Sequence, residues 1–374
     1  MNISQVVQSV DNMSAGVTYV VGDLSDGLTQ LGHKVTIYAF GDHPRKWPYS
    51  TKLINNYNVL EKINLISIDA LNKLRKNSLA VDVMHGHGIW RIANLFPLFL
   101  PRSHQPKIVW SPHGMLSDWS WRHRYVLKLP FWLLFQKSAI KKVDCFHATA
   151  TSEYHDIRRR GLTQPVAIVP NAVDIPELNN PSKKKNIVFL SRIHKKKGLE
   201  ILLETWQSLQ NKYNDWNIII AGPLNSKYAD EVQEYARHLK LNNVSFIGEV
   251  YGEQKKELLA TSSLFILPSF SENFGIVIAE ALAHGTPVIT TTETPWKELQ
   301  DNNCGLWVNP NRDEITKALD SSISLSLDEL EVMGKNGRQW MERDYSHQAM
   351  ASKMTHVYHW LIGEKEKPEW VFIE

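Results

Sequence analysis

Two glutamates, Glu272 and Glu280, bracket the stretch of this chain best suited to chemistry. The run Leu264 to Leu267 reads as a buried strand, and residues 268–275 form a polar loop after it. A helix is expected to begin near Asn273 to Gly275 and to stop at Gly285, Thr286 and Pro287. The first N–H groups of such a helix have no partner within it, and Gly275 lets a ligand come close, so the helix start is a ready anion site. Glu272 stands in the loop beside that site. Its charge also suits the positive end of a helix dipole, which by itself would account for it. Glu280 has no such explanation, because it sits in the otherwise apolar run Ile276, Val277, Ile278, Ala279, Ala281, Leu282. A carboxylate accepts two hydroxyls at once, so two acids around a phosphate site suit a nucleotide-sugar.

Three further loops carry candidate chemistry. Ser191, Arg192, Ile193, His194 and three lysines lead to Lys197 and Gly198, directly after the strand Ile187 to Leu190. Arg192, through its planar fork, and Lys197, as a point charge, could meet a diphosphate. The same residues also read as a basic surface loop, with Lys195 and Lys196 facing solvent. His113 lies between Pro112 and Gly114, after an expected strand at 107–111. Such a histidine can be held rigidly and aimed at a ligand, although a satisfied loop histidine is the plainer reading. His87 and Trp90 follow an expected strand at 81–85 and are assigned to the acceptor side, or to packing under that loop. The first strand, 2–8, leads to Ser14, Ala15 and Gly16, where backbone N–H groups at a helix start could touch phosphate. That loop has too few glycines for a dinucleotide fingerprint.

The elements that must position these residues alternate short apolar runs with amphipathic stretches, the pattern of βαβ units and mainly parallel sheets. Strands are expected at 2–8, 34–40, 81–85, 107–111, 144–148 and 166–169 in the first half. Helices there include 17–31 and 123–140. A polar, proline-bearing linker at 176–186 precedes a second series, with strands at 217–221, 244–247, 263–267 and 287–290. Its helices are expected at 198–212, 228–239, 253–261 and 275–284. The expected organisation is two domains, 1–178 and 179–345, with a crossover helix and tail at 346–374. Open α/β sheets bind ligands at the carboxyl ends of their strands, so a cleft between the domains is the expected site.

Composition narrows the function classes. The chain has 374 residues, 43% hydrophobic and 22% charged, which fits a folded protein and excludes disorder, collagen and coiled coil. Its two cysteines, Cys145 and Cys304, are far apart and fit a reducing cytoplasm. No apolar run approaches a membrane span. The net charge of +3 is unevenly spread: residues 1–180 carry 20 Lys and Arg against 13 Asp and Glu, and residues 181–374 carry 22 against 26. Residues 90–142 hold nine basic residues, one acid (Asp118) and five of the 13 tryptophans. Residues 119–142 mix aromatic rings with Arg and Lys, as segments at a lipid headgroup layer do, and equally as a core helix with a basic outer face does. The local basic excess beside an acidic second half argues against nucleic acid as partner.

The Glu-x7-Glu spacing, set within Ser271, Glu272, Asn273, Phe274, Gly275 and then Glu280, Ala281, Leu282, Ala283, Gly285, Thr286, Pro287, resembles the family 4 glycosyltransferases. The resemblance covers most of the chain. It implies the GT-B fold, two Rossmann-like domains facing each other across a cleft, with the C-terminal helix packing back on the first. It implies a retaining transfer of a sugar from a nucleotide-sugar to a lipid-linked or oligosaccharide acceptor; as no loop carries a metal-ligand cluster such as Asp-x-Asp, neither a metal nor another cofactor is expected. Capsule, O-antigen or exopolysaccharide synthesis at the cytoplasmic face of the inner membrane is the expected setting. By the same resemblance Arg192 and Lys197 neutralise the diphosphate, and His113 and Glu272 complete the catalytic set. Gly16, Gly248, Val250, Asn273, Phe274, Gly275 and Glu280 contact the donor. Two positions depart from the family pattern: Ala15 replaces a usual glycine, and Ala172 stands after Pro170 and Asn171 where glycine is more frequent. An epimerase or hydrolase of the same architecture, and a non-catalytic glycan- or membrane-binding protein, are the competing readings.

Overall fold

Fully buried parallel strands have both faces covered, so they read as unbroken runs of Val, Ile, Leu and Phe. In the computed structural model such runs form the centre of two sheets. Described are residues 1–10, 16–39, 52–55, 68–100, 105–122, 125–177, 182–272 and 274–373. The chain divides into two compact units, residues 1–172 with 347–374, and residues 173–346.

The first unit begins with strand β1 (Asn2–Val7), helix α1 (Gly16–Gln30), β2 (Lys34–Ala39), β3 (Lys52–Asn55) and α2 (Ile68–Ser78). It continues through β4 (Val83–His87), a 3-10 turn, β5 (Lys107–Ser111), α3 (Asp118–Arg122), α4 (Tyr125–Phe131), a π turn at Trp132–Gln136 and α5 (Lys137–Ile140). β6 (Cys145–Ala148), α6 (Thr151–Arg159) and β7 (Val166–Ile168) complete this part. The second unit holds β8 (Lys184–Leu190), α7 (Leu199–Leu209), β9 (Asn217–Ala221), α8 (Lys227–His238), β10 (Val244–Gly248), α9 (Gly252–Thr261) and β11 (Ser262–Leu267). α10 (Ile276–Ala283), β12 (Val288–Thr291), β13 (Gly305–Val308), α11 (Arg312–Ile323) and α12 (Leu327–Asp344) follow. The chain then returns to the first unit as α13 (His347–Leu361) and β14 (Val371–Phe372).

The first sheet runs β14-β7-β6-β5-β4-β1-β2-β3, parallel except for β14 against β7. The second runs β10-β9-β8-β11-β12-β13 and is parallel throughout. In each, the order reverses at the first strand, between β1 and β4 and between β8 and β11, and ligands of open α/β sheets bind outside the carboxyl ends at such switch points. The loops after β8 and β11 carry Arg192, Lys197 and Glu272. The loops after β4 and β5 carry Trp90 and His113.

Several expected bounds move. β4 starts at Val83, because Val81 and Asp82 still belong to the turn leaving α2. The Val81 N–H donates to Ser78 O, and the Asp82 carboxylate accepts the Asn2 N–H at 2.7 Å. His85 and His87 therefore lie inside a strand. The helix expected at 123–140 is several short pieces. Pro130 removes a backbone donor inside α4, and the chain passes through the π turn before α5. Ser14 and Ala15 lie outside the described residues; Gly16 opens α1. The division between the units falls at Ala172, ahead of the expected linker, and residues 184–186 belong to β8.

The helix expected at the C-terminal end packs on the first unit as α13. Gly27 of α1 comes so close to it that a β-carbon there would lie 2.7 Å from Ala351 Cβ. Met350, Ala351, Met354, Val357 and Tyr358 join Leu24, Leu28 and the strand residues Ile3, Val83, Val109 and Cys145 in one buried cluster.

Candidate functional site

In the second unit the loops at the switch point lock into each other. Gly198 has φ +69°, and a β-carbon on it would stand 2.1 Å from Pro268 O, so only glycine fits there. Beside it the Lys196 carbonyl accepts the Phe270 N–H at 2.7 Å and the Ser269 hydroxyl at 3.0 Å. The Lys197 ammonium is ion-paired with the Glu272 carboxylate, both side chains being mostly buried. The two residues that the sequence placed in separate motifs are thus one unit. Lys197 has three donors, and among the described residues one of them is spent, on Glu272. Arg192 is exposed and forms no ion pair with the described residues.

Glu280 is held from the other side, by Lys255 of α9 at 2.5 Å. Burial raises the Glu280 carboxyl pKa, and Lys255 opposes that shift. Its Oε2 is buried and has no hydrogen-bond partner among the described residues. Such an orphan acceptor is costly, and with almost no accessible surface this oxygen meets a ligand hydroxyl only if its neighbours shift. Gly275 takes the left-handed conformation (φ +74°) at the N-cap of α10 and passes the chain into the helix. Phe274 is a core ring, packed on Trp296 and Tyr345, and its carbonyl accepts the Trp296 indole N–H at 2.6 Å. Any donor contact at Phe274 is therefore through its backbone N–H. Asn273 lies outside the described residues. Gly248 ends β10; its carbonyl accepts the Gly222 N–H, and Gly222 sits so tightly on Ser191 that a β-carbon would meet Ser191 O at 2.0 Å. The turn carrying Gly248 and the half-buried Val250 is in this way tied to the loop carrying Arg192.

In the first unit His113 (φ +53°) and Gly114 (φ +72°) form a turn of unusual backbone. The turn is pinned by Glu153, whose fully buried carboxylate accepts the Gly114 N–H at 2.6 Å and both the N–H and hydroxyl of Thr149. Burial raises the Glu153 pKa, while these three hydrogen bonds pull it back. The His113 ring stacks on His87, with His113 Nε2 and His87 Nδ1 2.9 Å apart. His87 Nε2 is bonded to Gln5 Oε1 at 2.7 Å. His85, Ser111, His147 and Tyr358 continue the network behind it.

This alters two sequence expectations. His87 is buried with both ring nitrogens occupied, by His113 and Gln5, so it has no ring nitrogen left for an acceptor. Trp90 packs on Trp121 and Trp132, bonds Met115 O through its indole N–H, and lies under the Lys128 ammonium. That is a packing role under the loop. Gln5, His85, Ser111, His147, Glu153, Tyr358 and Lys255 were not anticipated. For Gln5, His85, Ser111 and His147 the signal available was a polar residue in an otherwise apolar strand, Gln5 in register with His85 and Ser111 with His87, whereas Glu153, Lys255 and Tyr358 lie on helices.

The two sheets, each with its switch point, define a doubly wound α/β protein, a class whose ligands lie outside the carboxyl ends of the strands. The family described as Glycosyltransferase Family 4 matches residues 14–177, and that described as Glycosyl transferases group 1 matches residues 171–340. The chain belongs to this glycosyltransferase family and has the GT-B fold. It is 22% identical over 367 residues to the phosphatidylinositol N-acetylglucosaminyltransferase gpi3 subunit of Schizosaccharomyces pombe, covering 93% of this chain and 78% of that one. It is 25% identical over 180 residues to the putative colanic acid biosynthesis glycosyltransferase WcaL of Escherichia coli, covering 46% and 44%. The Anabaena HepE structure in complex with UDP superposes with TM-score 0.71 at 16% identity, covering 96% of this chain and 99% of that one.

Proposed function

We propose that this glycosyltransferase moves a sugar, with retention at the anomeric carbon, from a nucleotide-sugar to a lipid-linked or oligosaccharide acceptor in surface-polysaccharide assembly. The observation that carries the donor assignment is the interlock of the Arg192–Lys197 loop with the Glu272 loop. Arg192 and the Lys197 ammonium meet the diphosphate. Glu280 and Glu272 accept sugar hydroxyls, and the backbone at Gly275 meets a phosphate oxygen. The bond from the anomeric carbon to the phosphate oxygen breaks, and its electron pair leaves with the diphosphate. The acceptor hydroxyl attacks the same face and its proton passes to the departing phosphate oxygen. Catalysis is then positioning and charge stabilisation, with no metal required. The HepE structure with UDP supports a nucleoside diphosphate as the bound group, and WcaL supports the polysaccharide setting.

A thermal-shift series of nucleoside diphosphates and their sugars tests this, since a ligand raises apparent stability by mass action. A shift with one nucleotide class, and sugar appearing on an added acceptor in the presence of EDTA, is expected. Sugar release or isomerisation without transfer identifies a hydrolase or epimerase instead, and no shift with any nucleotide overturns the donor assignment.

The acceptor side is proposed to meet an anionic membrane. Among the described residues no helix is long and apolar enough to cross one. The α4 and π-turn segment nevertheless leaves Val126 80%, Leu127 71% and Leu134 68% exposed, with Leu133 and Phe135 beside them and Lys137 and Lys141 following. Apolar side chains flanked by lysines suit an anionic headgroup layer. Leu133→Asp combined with Leu134→Asp is expected to abolish sedimentation with anionic vesicles. Equal sedimentation of both proteins would return this surface to another role.

A further inference from the structure

Lys255 is the fourth residue of α9, near the end of the helix where the dipole disfavours a cation. Lys256 beside it answers this within the helix, by pairing with Glu253 at 2.7 Å. Lys255 instead reaches out of α9 to α10. Glu280 Oε1, at 2.5 Å, is the one partner of its ammonium among the described residues. Both side chains are mostly buried, so the pair is shielded from the water that weakens an exposed one. α9 starts from its N-cap Tyr251, directly after the turn that carries Gly248 and Val250. One ion pair thus ties the turn expected at the donor to the helix whose carboxylate is expected at the donor's hydroxyls.

Glu280 Oε2 is closed off, so an arriving hydroxyl finds Oε1. That oxygen has two lone pairs, one of them taken by Lys255, and the place of the ammonium sets where the other points. Lys255 faces the carboxylate from α9 and Asp174 from the segment that enters the second unit. His284, at the end of α10, has its ring Nδ1 2.7 Å from Glu280 O. Burial raises the Glu280 pKa and Asp174 adds to this, while Lys255 opposes both. Burial holds His284 below the usual histidine range, with Lys255, Lys183 and Arg338 adding to the effect, so it brings no charge near neutral pH.

We propose that Lys255 is a positioning residue for the donor: its ammonium fixes the rotation of the Glu280 carboxylate, so that the second lone pair of Oε1 is presented to a donor hydroxyl. Lys255 itself does not touch the donor. The same contact keeps Glu280 ionised in a setting that favours its neutral form. The donor half of this inference rests on the function proposed above, while the coupling of Lys255 to Glu280 does not.

The test compares the full chain with Lys255→Met, Lys255→Arg, Glu280→Gln and the double variant of Lys255→Met with Glu280→Gln. UDP-glucose, GDP-mannose and ADP-glucose are titrated calorimetrically at pH 8 and pH 6, a range in which their diphosphates do not titrate. For whichever of them the wild type binds, Lys255→Met is expected to weaken binding by roughly tenfold at pH 8, the scale of a charged hydrogen bond. At pH 6 the factor should be larger, because the unpaired carboxyl takes up a proton. Lys255→Arg keeps the charge and should recover part of the loss, and the double variant should lose the pH effect. Binding by Lys255→Met that equals the wild type, exceeds it, or is weakened equally at both pH values overturns the positioning role. Thermal melts need no donor. The midpoint lost on Lys255→Met should be largest at pH 8, shrink as the carboxyl protonates, and be mostly absent when Glu280 is already glutamine. A Lys255→Met chain that folds only with Glu280→Gln added shows the same coupling, and equal losses in both backgrounds overturn it. Melts as expected, with no nucleotide-sugar bound by the wild type, count instead against the proposed function and take the donor half with it.

Discussion

At the scale of single residues, the two cations of the donor loop have different surroundings and should fail differently. Arg192 is exposed and outside any ion pair with the described residues, so Arg192→Ala should keep the melting behaviour of the wild type within about 0.5 kcal/mol while cutting turnover sharply. Lys197 is mostly buried against Glu272, so Lys197→Ala leaves a carboxylate without its partner and should cost about 1–3 kcal/mol as well as turnover. Denaturant melts alongside initial rates separate the two, and normal turnover in both variants would remove the diphosphate role. Gly198 belongs to the same calculation. Alanine there has to hold a left-handed φ and meet Pro268 O at 2.1 Å, so Gly198→Ala should cost more than about 2 kcal/mol. A melt like that of the wild type would mean that the loops do not interlock.

At the scale of elements, the strands and helices that frame the donor loops were largely legible, because their signal is local. The strand expected at 217–221 and the helix expected at 228–239 agree with β9 and α8 to within a residue. What was not legible depends on partners distant in sequence. β4 is displaced because Asn2 lies eighty positions away and bonds Asp82. His87 was given to the acceptor because nothing near it in sequence shows Gln5 and His113 occupying its ring. Phe274 sits in a motif expected to touch ligand, yet its ring is claimed by Trp296 and Tyr345. The contact of α1 with α13 is another long-range feature, and it can be tested as a pair. Gly27→Ala gains about 1 kcal/mol of helix propensity but places Cβ 2.7 Å from Ala351 Cβ, and overpacking at about 1–3 kcal/mol should win. Adding Ala351→Gly should recover part of that loss, and a double-mutant cycle of thermal melts with no coupling would show that the helices do not meet there.

At the scale of the whole molecule, buried histidines are unevenly shared between the two units, and this sets a pH response. In the first unit His33, His85, His87, His113 and His147 all have lowered pKa values, burial being the largest cause in each. In the second unit, among the described residues, His284 alone does. A histidine whose folded pKa is lowered stays neutral while the unfolded chain takes up a proton near pH 6.5, so its contribution to stability falls as the pH drops below that value. For His147, with a folded pKa of about 4, the loss between pH 7 and pH 5 is about 2 kcal/mol. Carboxyls with raised pKa values act in the opposite sense, since the folded state takes up their protons first on acidification. Glu153 and Asp156 do this in the first unit and Glu280 in the second, so they offset the histidines in both. The excess of histidines leaves the first unit with the larger net loss. Lowering the pH from 7.5 to 5.5 should therefore loosen β4 to β6 before β8 to β12. Hydrogen exchange followed peptide by peptide, corrected for the intrinsic effect of pH, reads this directly. Equal loss of protection in both units, or an earlier loss in the second, would mean that the histidine network is charged or solvated in the folded protein.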